Sequence, residues 1–92
     1  MDEDLRLTDS QLRLAVMSLL ISVESAEFTF LKEKTESTAG YLSVQLDKLD
    51  KAAYLTITKS FRAKRPLTTC SITQKGFRAF EGYVKILKNY IT

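Results

Sequence analysis

The hydrophobic period of this chain changes twice, and that limits its fold more than any other feature. Up to Ala53 apolar residues recur at three- and four-residue spacing, across Tyr54–Ile72 they alternate, and from Phe77 to Ile91 the helical spacing returns. Helices, then paired strands, then one more helix is the arrangement this predicts.

Leu12, Ala15, Val16, Leu19, Leu20 and Val23 define the first helix over about residues 9–23, with Ser10 as the expected cap. Glu24 to Glu27 breaks the period, and Phe28, Phe30 and Leu31 open a short second helix ending near Thr35. Ser37 or Thr38 can cap a third helix that buries Leu42, Leu46 and Leu49 and closes at Ala52 and Ala53. Two helices on a tight connection after a longer one make a helix-turn-helix arrangement.

Tyr54–Thr58 alternates as a strand with Leu55 and Ile57 inward, and Thr68–Ile72 does the same with Cys70 and Ile72. The segment Lys59–Pro66 between them is expected to be a long basic loop at a hairpin tip, with Pro66 at its mouth. Thr73 can cap the last helix, where Phe77, Phe80, Val84, Leu87 and Ile91 form one stripe. Tyr83, Ile86 and Tyr90 widen that stripe to roughly half the circumference. One small core cannot cover so broad an apolar face, so Tyr83, Ile86, Leu87 and Tyr90 are expected to pack against a second subunit.

Ninety-two residues allow one core, so residues 1–92 are taken as a single domain, with 1–8 an acidic arm and 73–92 the last helix. With no histidine and one cysteine there is no basis for an internal disulfide, a Cys/His zinc site or a His-based catalytic group. An enzyme, a cofactor and a metal are therefore not expected. Cys70 suits a small buried hydrophobe better than a redox sensor. The start Met1-Asp2-Glu3-Asp4 has the wrong sign for a signal peptide, and no apolar run approaches the roughly 18 residues of a membrane span, so a cytoplasmic protein is expected.

The net charge of +3 conceals a segregation: residues 1–50 carry ten Asp/Glu against five Lys/Arg. From Lys51 to Phe80 there are seven Lys/Arg and no acid, a local field that suits a polyanion.

Three segments then resemble a known family. Gly40–Leu49, Tyr54-Leu55 and Lys64–Phe80 are similar to the short MarR/ArsR-like winged-helix regulators of bacteria and archaea, most sharply in Arg65-Pro66-x-Thr68-Thr69 and in Thr73-x-x-Gly76-x-x-x-Phe80. The resemblance implies a mostly α fold with a small β-hairpin, a winged helix-turn-helix with a C-terminal dimerisation helix. It further implies a homodimeric transcription factor that places its third helix in the major groove of double-stranded DNA and its wing beside it. Two residues depart from the pattern: Ala53 stands where the family usually has Gly, and Val44 where a basic or polar residue is common.

On the third helix Tyr41, Val44, Gln45 and Lys48 share a stripe displaced from the leucines and are the expected base readers: Gln45 for adenine, Val44 for a thymine methyl, Lys48 for guanine or phosphate. Ser37, Thr38 and Ser43 are short donors near the helix start, suited to phosphate. In the wing Lys59, Arg62, Lys64 and Arg65 are expected on phosphates or in the minor groove. Two other functions fit the composition: a protein-interaction module using the Tyr83/Ile86/Tyr90 face, and a low-specificity architectural or single-strand binder stacking bases on Tyr41 and Phe61.

Overall fold

The computed structural model describes residues 7–91, with the side chains of residues 84, 87, 88, 90 and 91 outside the description. Its elements are α1 (Asp9–Val23), β1 (Ser25–Glu27), α2 (Phe28–Thr35), α3 (Ala39–Lys51), β2 (Leu55–Arg62), β3 (Arg65–Ile72) and α4 (Gln74–Ile91). This is a winged helix-turn-helix.

Thr8, not Ser10, caps α1: its hydroxyl accepts from Gln11 N–H while the Gln11 side chain accepts from Thr8 N–H. That reciprocal pair is a capping box, with the glutamine three residues after the cap. Thr38 caps α3, accepting from Tyr41 N–H at 3.2 Å. At the other end of α3, Tyr54 N–H bonds Leu49 O at 3.0 Å and Ala53 N–H bonds Asp50 O at 2.9 Å, with Ala53 at φ 64°. This is a Schellman stop with alanine in the left-handed position usually given to glycine.

The sheet has three antiparallel strands in the order β1-β3-β2. β1 falls in the stretch that sequence periodicity leaves as a mere break, and pairs Ala26 with Cys70. The hairpin is longer and tighter than expected. Both strands run eight residues, and Arg62 pairs with Arg65 across a two-residue turn, Ala63-Lys64, with φ of 51° and 67°. Left-handed torsions at both positions define the type I′ turn, whose twist matches that of the flanking strands. The expected long loop is therefore strand almost to its tip. Pro66 lies within β3 opposite Phe61, one step beyond the hydrogen-bonded pair that flanks the turn. Its missing N–H would point to the β1 side, and β1 has ended by Glu27, so no ladder bond is lost.

Leu12, Val16, Met17 and Leu20 of α1 meet Leu31, Leu42, Leu46, Leu49, Leu55, Ala26 and Cys70 in one core. Cys70 is fully buried, and desolvation first, with the nearby Asp50 charge second, pushes its thiol up to about 11. α4 begins against the end of α3. Thr73 N–H bonds Tyr54 O at 3.1 Å, and its hydroxyl donates to Ala53 O at 2.6 Å while accepting from Gly76 N–H. A Cβ on Gly76 would lie 2.0 Å from Tyr54 O, so this turn of α4 can carry only glycine without moving. Phe80 packs edge-on against Tyr54 with ring centroids 5.3 Å apart, whereas Phe77, expected in the buried stripe, is 40% exposed.

Candidate nucleic-acid interface

Helical geometry decides which face α3 presents. At about 100° per residue, Leu46 and Leu49 lie within about 40° of Leu42, and Gln45 lies only about 60° away on one flank. Gly40, Val44 and Lys51 lie nearest the direction opposite the leucines, with Asp47 and Ser43 on one flank. The side chains follow this arithmetic: Gln45 is 1% exposed, and Val44 is 52% exposed.

The expectation that Tyr41, Val44, Gln45 and Lys48 all point outward is thereby corrected. Gln45 faces α1, where Arg13 donates to its Oε1 at 2.6 Å, so its side chain does not point outward. Tyr41 is half-buried on the same seam and donates its hydroxyl to Leu7 O and to the Asp9 carboxylate. This bond, above all, lowers the Asp9 pKa below its ordinary value, with Lys48 and Arg13 adding to it against desolvation. Lys48 stands 3.7 Å from the same carboxylate and keeps about half its side chain in solvent. Three of the four expected readers thus form a polar seam that docks α3 on α1. α1 supplies both a charge and a carboxylate where sequence spacing suggested solvent.

Ser43 and Val44 remain on the open side, joined by Asp47. These three line a groove of about 460 Å³ whose other wall is Ile57, Lys59 and Thr68 of the hairpin, floored by Phe28 and Leu46. Thr38 is exposed at the helix start, and Ser37 is half-buried with its hydroxyl 2.9 Å from that of Thr35.

Strand alternation sorts the wing residues. Leu55, Ile57, Lys59 and Phe61 of β2, with their cross-strand partners Ile72, Cys70, Thr68 and Pro66, share the face that looks towards α3. Arg62, Arg65, Ser60 and Thr69 leave the opposite face, as does Glu27. Arg62 is engaged there, its Nη2 3.0 Å from Glu27 Oε2, so it is not among the cations lining the groove. Lys64 occupies the turn itself. Lys59 is the cation that the hairpin contributes to the groove wall, and Phe61, 75% exposed, extends that wall towards the tip.

On α4, Tyr83 and Ile86 are 57% and 59% exposed, with Tyr83 beside Ser10, Gln11, Arg13 and Leu14 of α1. Leu87 and Tyr90, expected on the same interface, have side chains outside the described residues, as does the arm from residue 1 to 6. Among the described residues no helix is long and apolar enough to cross a membrane, and no group of three or more potential ligands is placed to hold a metal.

A helix-turn-helix whose third helix and β-hairpin wall one open groove defines the winged-helix class of protein. The chain belongs to the winged helix DNA-binding domain family, whose model matches residues 12–91. It is 35% identical over 80 residues, 87% of each chain, to an uncharacterized protein of Methanocaldococcus jannaschii. A transcriptional regulator homologue from Pyrococcus horikoshii superposes with TM-score 0.74 at 26% identity, over 86% of this chain and 78% of that one. A mutant MarR from E. coli complexed with operator DNA superposes with TM-score 0.66 at 18% identity, over 76% of this chain and 49% of that one. The fold is thus MarR-like.

Proposed function

We propose that this chain binds double-stranded DNA as a homodimer and regulates transcription, with α3 in the major groove and the hairpin alongside. The observation that carries this is the shared groove: the outward face of α3 and the Lys59 face of the wing open to the same side, in a chain of the winged helix DNA-binding family. A helix about 10–12 Å across with its side chains matches a major groove about 12 Å wide, and α3 offers Ser43 and Val44 at its leading turns. Thr38 and the N–H groups at the start of α3 suit a phosphate. Lys59, Lys64 and Arg65 supply positive charge along the wing.

The homodimer is supported by Tyr83 and Ile86, apolar side chains left more than half exposed on a long terminal helix. Symmetry would then set two α3 helices against half-sites about 10 bp apart or a multiple of that.

The test is selection from a random duplex pool at moderate salt, followed by titrations of the selected duplex over a range of salt. An enriched inverted repeat is expected. Lys59→Ala should reduce the salt slope by about one unit, the signature of one lost phosphate contact, while Arg62→Ala, already paired with Glu27, should reduce it less. A pool that returns unenriched from a protein that binds would favour the architectural function, for which Phe61 and Val44 offer exposed apolar contact. No binding at any salt would favour a protein-interaction module.

A further inference from the structure

We infer that Asp47 reads cytosine, with Val44 on a neighbouring thymine methyl, so that each half-site carries a C·G pair beside a T·A pair. This rests on the DNA-binding function proposed above and specifies what the site prefers.

Asp47 lies on the exposed side of α3, its side chain 62% exposed, and lines the groove with Ser43, Val44 and Lys59. An ionised carboxylate only accepts hydrogen bonds. Of the groups that bases display in the major groove, guanine N7 and O6 and thymine O4 are themselves acceptors and repel it. Two donors remain, adenine N6 and cytosine N4. The adenine donor adjoins N7, a second acceptor, while cytosine N4 has no acceptor beside it on its own base. A carboxylate at this place therefore selects cytosine and rejects guanine and thymine.

Two neighbours make an acid tolerable so close to phosphates. Lys51 Nζ lies 3.5 Å from the Asp47 carboxylate, one turn along α3, and Lys59 faces it across the groove. Val44 sits three residues earlier, about 4.5 Å along the axis, which is close to one base-pair step of about 3.4 Å. Its exposed methyls have no polar use there and fit the thymine C5-methyl.

The experiment is site selection from random duplexes with the wild-type chain, Asp47→Asn and Asp47→Ala, after circular dichroism has shown all three equally folded. Wild type is expected to enrich cytosine at one position of each half-site. Asp47→Asn should move that position to adenine, which an amide can bind through N6 and N7, and leave the other positions unchanged. Asp47→Ala should lose preference there, with discrimination falling roughly tenfold or more. If both variants select the wild-type site and merely bind it more tightly, Asp47 does no more than repel phosphate and the inference is overturned. If wild type selects a site without cytosine opposite Asp47, the inference falls while DNA regulation stands. If wild type binds no duplex, both fall together.

Discussion

Gly76 and Ala53 are linked through one carbonyl and one turn, and substitutions at the two should move stability in opposite directions. Gly76→Ala drives a methyl to 2.0 Å from Tyr54 O and to 2.9 Å from the Met17 methyl, neither of which can retreat without shifting α3's end or the core. A loss of about 2–3 kcal/mol is expected. Ala53→Gly relieves a left-handed alanine and should gain about 0.5–1 kcal/mol. Urea unfolding of both variants checks the pair, and a neutral Gly76→Ala would mean that α4 does not start against Tyr54. Cys70 contributes a pH dependence of definite sign. Its thiol keeps its proton up to about 11 when folded but ionises from about 9 in the unfolded chain, so the unfolded state binds fewer protons above that point. Stability should fall as pH rises from about 9 to 11, more in wild type than in Cys70→Ala. Parallel unfolding curves at neutral pH and near pH 10 decide it, and equal losses in the two chains would remove Cys70 as the cause.

The α1–α3 seam sets the rotation of α3. Arg13 bonds Gln45, while Tyr41 and Lys48 approach Asp9, so the helix shows Ser43, Val44 and Asp47 to the groove rather than its own tyrosine and glutamine. Gln45→Ala should therefore cost about 1–3 kcal/mol of stability, through the charged hydrogen bond lost, and leave base preference unchanged. A changed selected sequence would put Gln45 back on the DNA. The hairpin carries a similar lesson. Four basic residues in the seven from Lys59 to Arg65 look like a single patch in sequence, yet alternation divides them between two faces and a turn.

At the scale of the whole molecule, the proposed dimer makes a definite prediction. Tyr83 and Ile86 are exposed on α4, Tyr83 beside the first turns of α1, and the proposed dimer covers them. Replacing both by Asp should give a monomeric mass with unchanged helix content, measured by sedimentation and circular dichroism. A dimer that survives would move the interface elsewhere on the chain. Because the proposed dimer reads two half-sites at once, the monomer should also lose most of its affinity for an inverted repeat while retaining weak, salt-dependent binding.

Much of the fold was legible in the amino-acid sequence because it rests on local chemistry: apolar spacing placed α1, α2 and α3 within a residue or two, and the alternation from Leu55 to Ile72 marked a hairpin. Thr38 and Thr73 were also readable as caps, since a cap bonds only to residues three positions on. The Ala63-Lys64 turn was not, because alanine and lysine carry no signal for left-handed torsions, and the pairing of eight-residue strands overrode their preference. β1 was invisible for a related reason: three residues have no period, and they become a strand only because β3 offers an edge. The site divides in the same way. That a basic hairpin follows a helix-turn-helix is written in the residue order, whereas which side of α3 faces out depended on Arg13 and Asp9, more than thirty residues away in sequence, offering partners to Gln45 and Tyr41. A polar side chain goes where its hydrogen bonds are met, and only the tertiary structure determines where that is.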